Sequence, residues 1–150
     1  MSDIFRNLSF PEADPHLLQL LKEAWEGGDP YVVWLQGEMG AGKTSLVRSF
    51  LYSLGLPAHT PVVSPTYTLM NEYKIGSRWY AHLDLYRADA RFSMDELGVR
   101  DVRSYHGMFI EWPKQAGELE LIEATHILSI EPESELSRLY SLKALSAPGK

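Results

Sequence analysis

Tyr31-Val32-Val33-Trp34-Leu35 runs almost directly into Gly37-Glu38-Met39-Gly40-Ala41-Gly42-Lys43-Thr44. The second stretch fills every fixed position of G-x-x-x-x-G-K-[ST]. Its glycines let the backbone wrap tightly, so that successive N–H groups face inward as an anion nest. Lys43 opens the next helix, which turns both its ammonium and the helix N-terminus toward bound phosphates. Thr44 places a hydroxyl where a phosphate-bound Mg²⁺ sits. The context agrees with the mechanism. The preceding run is short, apolar and rich in β-branched and aromatic residues, as in a strand buried on both faces. Lys43 to Leu54 carries Leu46, Val47, Phe50 and Leu51 at helical spacing, and Gly55 is placed to cap that helix.

Outward from this core, Ile4 to Phe10 reads as an irregular or short extended lead-in. A helix is predicted from Asp14, an N-cap followed by Pro15, through Leu17, Leu18, Leu21, Ala24 and Trp25, and Gly27-Gly28-Asp29-Pro30 stops it. Thr60 to Thr66 is a proline-flanked loop. Tyr67 to Lys74 and Arg78 to Tyr86 read as a hairpin turning at Ile75-Gly76-Ser77. Arg87 to Ser104 is polar and loop-like, with at most a short helix near Met94 to Leu97. Gly107 to Trp112 is a further apolar run, Pro113 to Glu123 a candidate short helix, and His126 to Ile130 and Leu139 to Leu145 two closing strands.

Two carboxylates sit where phosphoryl transfer needs them, at the ends of buried strands. Asp84 ends Trp79-Tyr80-Ala81-His82-Leu83-Asp84, and Glu111 ends Met108-Phe109-Ile110-Glu111. Alternation puts Tyr80, His82, Asp84 and Tyr86 on one face and Ala81, Leu83 and Leu85 on the other. Either carboxylate can bind metal or position water; the bland alternative is a solvated strand end. His82 reads as a hydrogen-bonded strand residue rather than a catalyst. Trp112 either stacks on a base or packs. The histidines show no zinc-ligand spacing. Asp95-Glu96-Leu97-Gly98 is a weak GTPase-like match, and no N-K-x-D context accompanies it, so ATP is the expected nucleotide.

The chain has 150 residues, so one domain spanning 1–150 is expected, with a core over about 29–145. Hydrophobic residues are 45% and charged residues 23%, which argues against wholesale disorder. The formal charge of −6 disfavours autonomous grip on nucleic-acid phosphates. With no cysteine, disulfides, thiol nucleophiles and iron–sulfur clusters are excluded. No apolar run approaches a membrane span, and Met-Ser-Asp-Ile-Phe-Arg carries no signal-peptide pattern, so a cytoplasmic protein is expected.

Taken in order, the phosphate loop, Ser64-Pro65-Thr66-Tyr67-Thr68, His82-Leu83-Asp84-Leu85-Tyr86-Arg87, Asp95-Glu96-Leu97-Gly98 and Ile110-Glu111-Trp112-Pro113 resemble the bacterial TsaE (YjeE) family. The resemblance implies a small α/β, P-loop NTPase-like three-layer fold, with a central mixed sheet and helices on both faces. It implies ATP and Mg²⁺ as cofactors, and slow hydrolysis in the threonylcarbamoyl modification of tRNA adenosine. TsaB and TsaD are the implied partners. tRNA is reached through them, and neither DNA nor membrane is a partner. Phosphate contacts are carried over to Glu38, Met39, Gly40, Ala41, Gly42, Lys43, Thr44 and Ser45. Catalysis falls to Lys43, Asp84 and Glu111, and metal to Thr44, Glu111 and Asp84. Ser64, Pro65 and Thr66 match a switch-like loop, and Trp112 lies beside the nucleotide. Two other readings remain open at this level: a small-molecule kinase, and a nucleotide switch that does not hydrolyse. No arginine finger is evident, although Arg87 is a candidate by position.

Overall fold

A computed structural model of the chain describes residues 2–8, 10–25, 30–38, 40–63, 70–84, 104–111 and 124–145. Seven strands and two helices lie within them: β1 (Ser2–Asn7), α1 (Pro15–Trp25), β2 (Tyr31–Gln36), α2 (Lys43–Ser53), β3 (Met70–Ile75), β4 (Arg78–Asp84), β5 (Gly107–Glu111), β6 (His126–Pro132) and β7 (Arg138–Ala144). The strands form one mixed sheet in the order β1-β7-β6-β2-β5-β4-β3. β2 is parallel to β5 and β6, and β4 is parallel to β5. The outer pairs β1–β7, β6–β7 and β3–β4 are antiparallel.

Local chemistry explains the elements. Asp14 Oδ1 accepts the His16 N–H at 2.7 Å, the capping bond that starts α1. Leu17, Leu21 and Trp25 then recur every four residues and are all buried. α2 buries Leu46, Val47, Phe50 and Leu51, and Gly55 follows it with φ 114°. Gly76, at φ 62°, turns the β3–β4 hairpin within two residues. The β3–β4 hairpin agrees with the sequence reading, and the extended lead-in is an edge strand paired to β7.

Strand alternation divides the core. Tyr31, Val33, Leu35, Tyr80, Phe109, Leu128, Tyr140 and Leu142 pack with both helices. Trp25, Phe50 and Phe109 meet edge to face there, with ring centroids 4.7 to 5.6 Å apart. Val32, Trp34, Ala81, Leu83, Tyr105, Met108 and Ile110 cluster on the opposite face. Both described helices therefore cover one face. The elements expected near Met94 to Leu97 and over Pro113 to Glu123 lie outside the described residues.

Gly107 fixes how β2 and β5 start. It is paired with Tyr31, and a Cβ on it would stand 2.5 and 2.6 Å from ring carbons of Tyr31 and 2.9 Å from its hydroxyl. These two strands carry the phosphate loop and Glu111 at their far ends, so the contact sets the site's framework from the opposite edge. Gly107→Ala is expected to destabilise the fold by about 1–3 kcal/mol through overpacking. Denaturant unfolding checks this; an unchanged midpoint would show that the ring moves aside freely.

Candidate functional site

The parallel core brings the sequence's acidic strand ends to one edge. Leu35 pairs with Glu111, and Glu111 with Asp84, so the exits of β2, β5 and β4 lie side by side. Ligands gather at the carboxyl ends of parallel strands in open α/β sheets. By alternation, His82, Asp84 and Glu111 share the helix-bearing face with Tyr80 and Phe109. All three are buried, with His82 fully so and Asp84 and Glu111 at 7% and 6% exposure. The solvated strand-end alternative is thereby set aside for both carboxylates.

Gly37 leaves β2 and the loop returns at Gly42, which precedes α2 as its N-cap residue. Gly40 and Gly42 have φ of 85° and 111°, conformations that suit only glycine without strain. At Gly37 the constraint is approach: a Cβ would lie 2.8 Å from the Ile130 carbonyl oxygen. The Ala41 N–H donates to the Glu38 carbonyl at 3.0 Å, which closes a tight turn inside the loop. α2 then begins at Lys43, with Thr44 and Ser45 half-buried in its first turn. Glu38 and Gly40 are exposed on the loop, and Ala41 is buried beneath it.

Lys43 joins loop and carboxylates. Its ammonium donates to the Gly37 carbonyl at 2.7 Å and lies 4.0 Å from Glu111 Oε1. The other carboxylate oxygen, Oε2, is 3.0 Å from His82 Nε2. His82 Nδ1 is buried and has no hydrogen-bond partner among the described residues. A carboxylate oxygen accepts, so Nε2 is the donor of the bond to Glu111. The expectation of a hydrogen-bonded strand histidine holds, and its partner is the site's own carboxylate. Glu111 is thus turned by His82 on one oxygen and presents the other to Lys43.

The donors suit a hard cation. Two carboxylates and a threonine hydroxyl are all oxygen ligands, and Mg²⁺ is usually held by one or two carboxylates plus water and phosphate oxygens. No group of three or more acidic or histidine ligands forms a closed cage among the described residues. Met39, Ser64, Pro65, Thr66 and Trp112 lie outside the described residues. Arg138, which the sequence reading left unassigned, donates from Nε to the Ala41 carbonyl of the loop at 2.9 Å. Its signal was available: alternation places Arg138 with Tyr140 and Leu142 on the inward face of β7.

No described helix is long and apolar enough to cross a membrane. Among known proteins, the fold is similar to the crystal structure of Bacillus subtilis YdiB. The TM-score is 0.64 at 21% identity, over 97% of this chain and 87% of that one, a likeness of fold. Curated relatives named tRNA threonylcarbamoyladenosine biosynthesis protein TsaE are also similar. That of Haemophilus influenzae is 38% identical over 101 residues, 67% of this chain and 62% of the relative. That of Nostoc is 44% identical over 89 residues, 59% of this chain and 51% of the relative. The chain thus spans between 51% and 62% of the length of these two relatives. The family described as Threonylcarbamoyl adenosine biosynthesis protein TsaE matches residues 11–140. With its P-loop NTPase-like fold and a match across most of its length, the chain belongs to the TsaE family.

Proposed function

We propose that this chain binds ATP with Mg²⁺ at the Gly37–Thr44 loop and hydrolyses it slowly. The work is done for the threonylcarbamoyl modification of adenosine in tRNA, alongside TsaB and TsaD. The observation that carries the ATPase reading is Glu111. This buried carboxylate is oriented by His82 and set beside the phosphate-loop lysine. A structural carboxylate needs no such placement; a group that must act on a γ-phosphate or its attacking water does. The pathway assignment rests on family membership and on the named relatives.

The chain's own residues divide the task. Lys43, released from the Gly37 carbonyl, draws charge from the β- and γ-phosphates. The loop N–H groups and the start of α2 face the same anion. Thr44, Asp84 and Glu111 supply the oxygen ligands for the metal and for the attacking water. Bound Mg²⁺ would neutralise charge shared between the β- and γ-phosphate oxygens. Among the described arginines, Arg6 bonds Glu133, Arg48 the Val62 carbonyl and Arg78 His106, all away from the loop, while Arg138 bonds the loop's own Ala41 carbonyl. Arg87, the candidate by position, lies outside the described residues. Slow basal turnover is expected, with a partner protein supplying a further cation or ordering the site.

The test is made in a bacterial strain depleted of its own TsaE and carrying this chain. Threonylcarbamoyladenosine in its tRNA is measured by mass spectrometry. Restored modification, together with ATPase turnover that rises when TsaB and TsaD are added, is the expected result. Full restoration by a chain with no ATP binding would overturn the ATPase reading. No restoration by a folded, ATP-binding chain would overturn the pathway.

A further inference from the structure

We infer that Arg138 and Phe10 form a clamp that holds the phosphate loop in its nucleotide-binding shape, a role that rests on the ATP reading above. Arg138 is 7% exposed and makes no ion pair among the described residues. Its guanidinium is satisfied instead by three carbonyls: Ala41 from Nε at 2.9 Å, and Ser134 and Ser137 from Nη1 at 2.6 and 3.0 Å. The Phe10 ring covers its face, with the centroid 3.6 Å from Cζ. Burying a cation without a counter-ion is costly, and a neutral residue would fill the volume at less expense. The charge is therefore retained for something the packing alone does not need.

What it holds is the peptide leading into the loop's last glycine. A trans peptide sets its C=O and N–H in opposite directions. Fixing the Ala41 carbonyl on Arg138 therefore turns the Gly42 N–H away from β7. Phe10 acts on the same residue, because its ring occupies the space that a Cβ on Gly42 would need. Phe10 is itself tied to the β6–β7 turn, its N–H donating to the Leu136 carbonyl at 3.0 Å. Arg138 is paired on both sides, with Asn7 of β1 and Pro132 of β6. The loop's backbone is thus braced from behind by a strand that contributes nothing to the carboxylate side. In this role Arg138 is a positioning residue: it reaches phosphate only through the peptide it orients.

The test is titration of the full chain with a fluorescent ATP analogue and Mg²⁺, beside thermal unfolding. Wild type, Arg138→Met and Phe10→Leu are compared at a temperature where each is folded. Loss of a charge-assisted bond to the loop is expected to weaken binding about tenfold in Arg138→Met. Phe10→Leu, which keeps apolar cover but loses the aromatic face, is expected to weaken it about threefold. A lower Tm with native affinity in both variants would mean a purely structural arginine and overturn the inference. Should Arg138→Met fail to fold, Phe10→Leu decides: affinity matching wild type overturns the clamp. Absence of binding by wild type removes the ATP reading and the clamp together, whereas variant-only effects support both.

Discussion

Lys43→Ala is expected to remove ATP hydrolysis and to weaken ATP binding by about ten- to a hundredfold, from the loss of charge-assisted bonds to phosphate. The Lys43 ammonium donates to the loop's own first carbonyl and faces Glu111, and Lys43 is not one of the buried apolar residues of the core. The fold should therefore survive, with a Tm close to wild type. Removing the lysine takes away the cation that balances Glu111 at the moment three or four phosphate charges arrive. The remaining carboxylates then repel an incoming polyphosphate. Isothermal titration with a non-hydrolysable ATP analogue, and phosphate release in the presence of TsaB and TsaD, measure both effects. Unchanged affinity and turnover in a folded variant would remove the loop from the chemistry.

Glu111→Gln should separate binding from chemistry. Glutamine keeps the size and one acceptor oxygen for His82 Nε2, but it can neither take a proton nor hold a cation by charge. Removing a positioned base typically costs about 10²–10⁴ in rate. A fall of that order in kcat is expected, with ATP affinity within a few-fold of wild type. Asp84→Asn, made beside it, assigns the roles. The carboxylate that ligates the metal is the one whose amide variant demands more Mg²⁺ for half-maximal turnover. A Glu111→Gln protein within threefold of the wild-type kcat would leave only Asp84 for the base.

Much of the site was legible before any coordinates. A glycine-rich loop between an apolar run and a helical repeat allows few other structures, because each glycine answers a specific backbone demand. Asp84 and Glu111 were recognisable by their place at the ends of buried strands. Their adjacency was not, since it depends on β4 and β5 being register neighbours, and strand order is a property of the whole sheet. His82 was read as an ordinary hydrogen-bonded residue because one side chain carries no record of its partner; only the parallel register brings Glu111 to its ring. Arg138 and Phe10 escaped for a related reason. Alternation turns Arg138 inward, but the targets are a main-chain carbonyl and a bare glycine, so residue type does not name the partner. Both described helices lie on one face, which the sequence could not assign because an apolar stripe shows that a helix is covered without saying by which face of the sheet.

The interleaved strand order carries a consequence for how the protein comes into being. β2 is flanked by β5 and β6, both of which are made long after it during synthesis. Its neighbours must be captured across most of the chain, and such pairings close large loops before they return any stabilisation. Lys43 can therefore be on hand early while Glu111 is still absent, and no fragment of the sheet brings the two together. Competence arrives in one step with the finished topology. A substitution far from the loop that slows this assembly would lower the amount of active protein while leaving the affinity of each finished molecule untouched. Any ligand that binds only the completed state pulls newly made chains toward it.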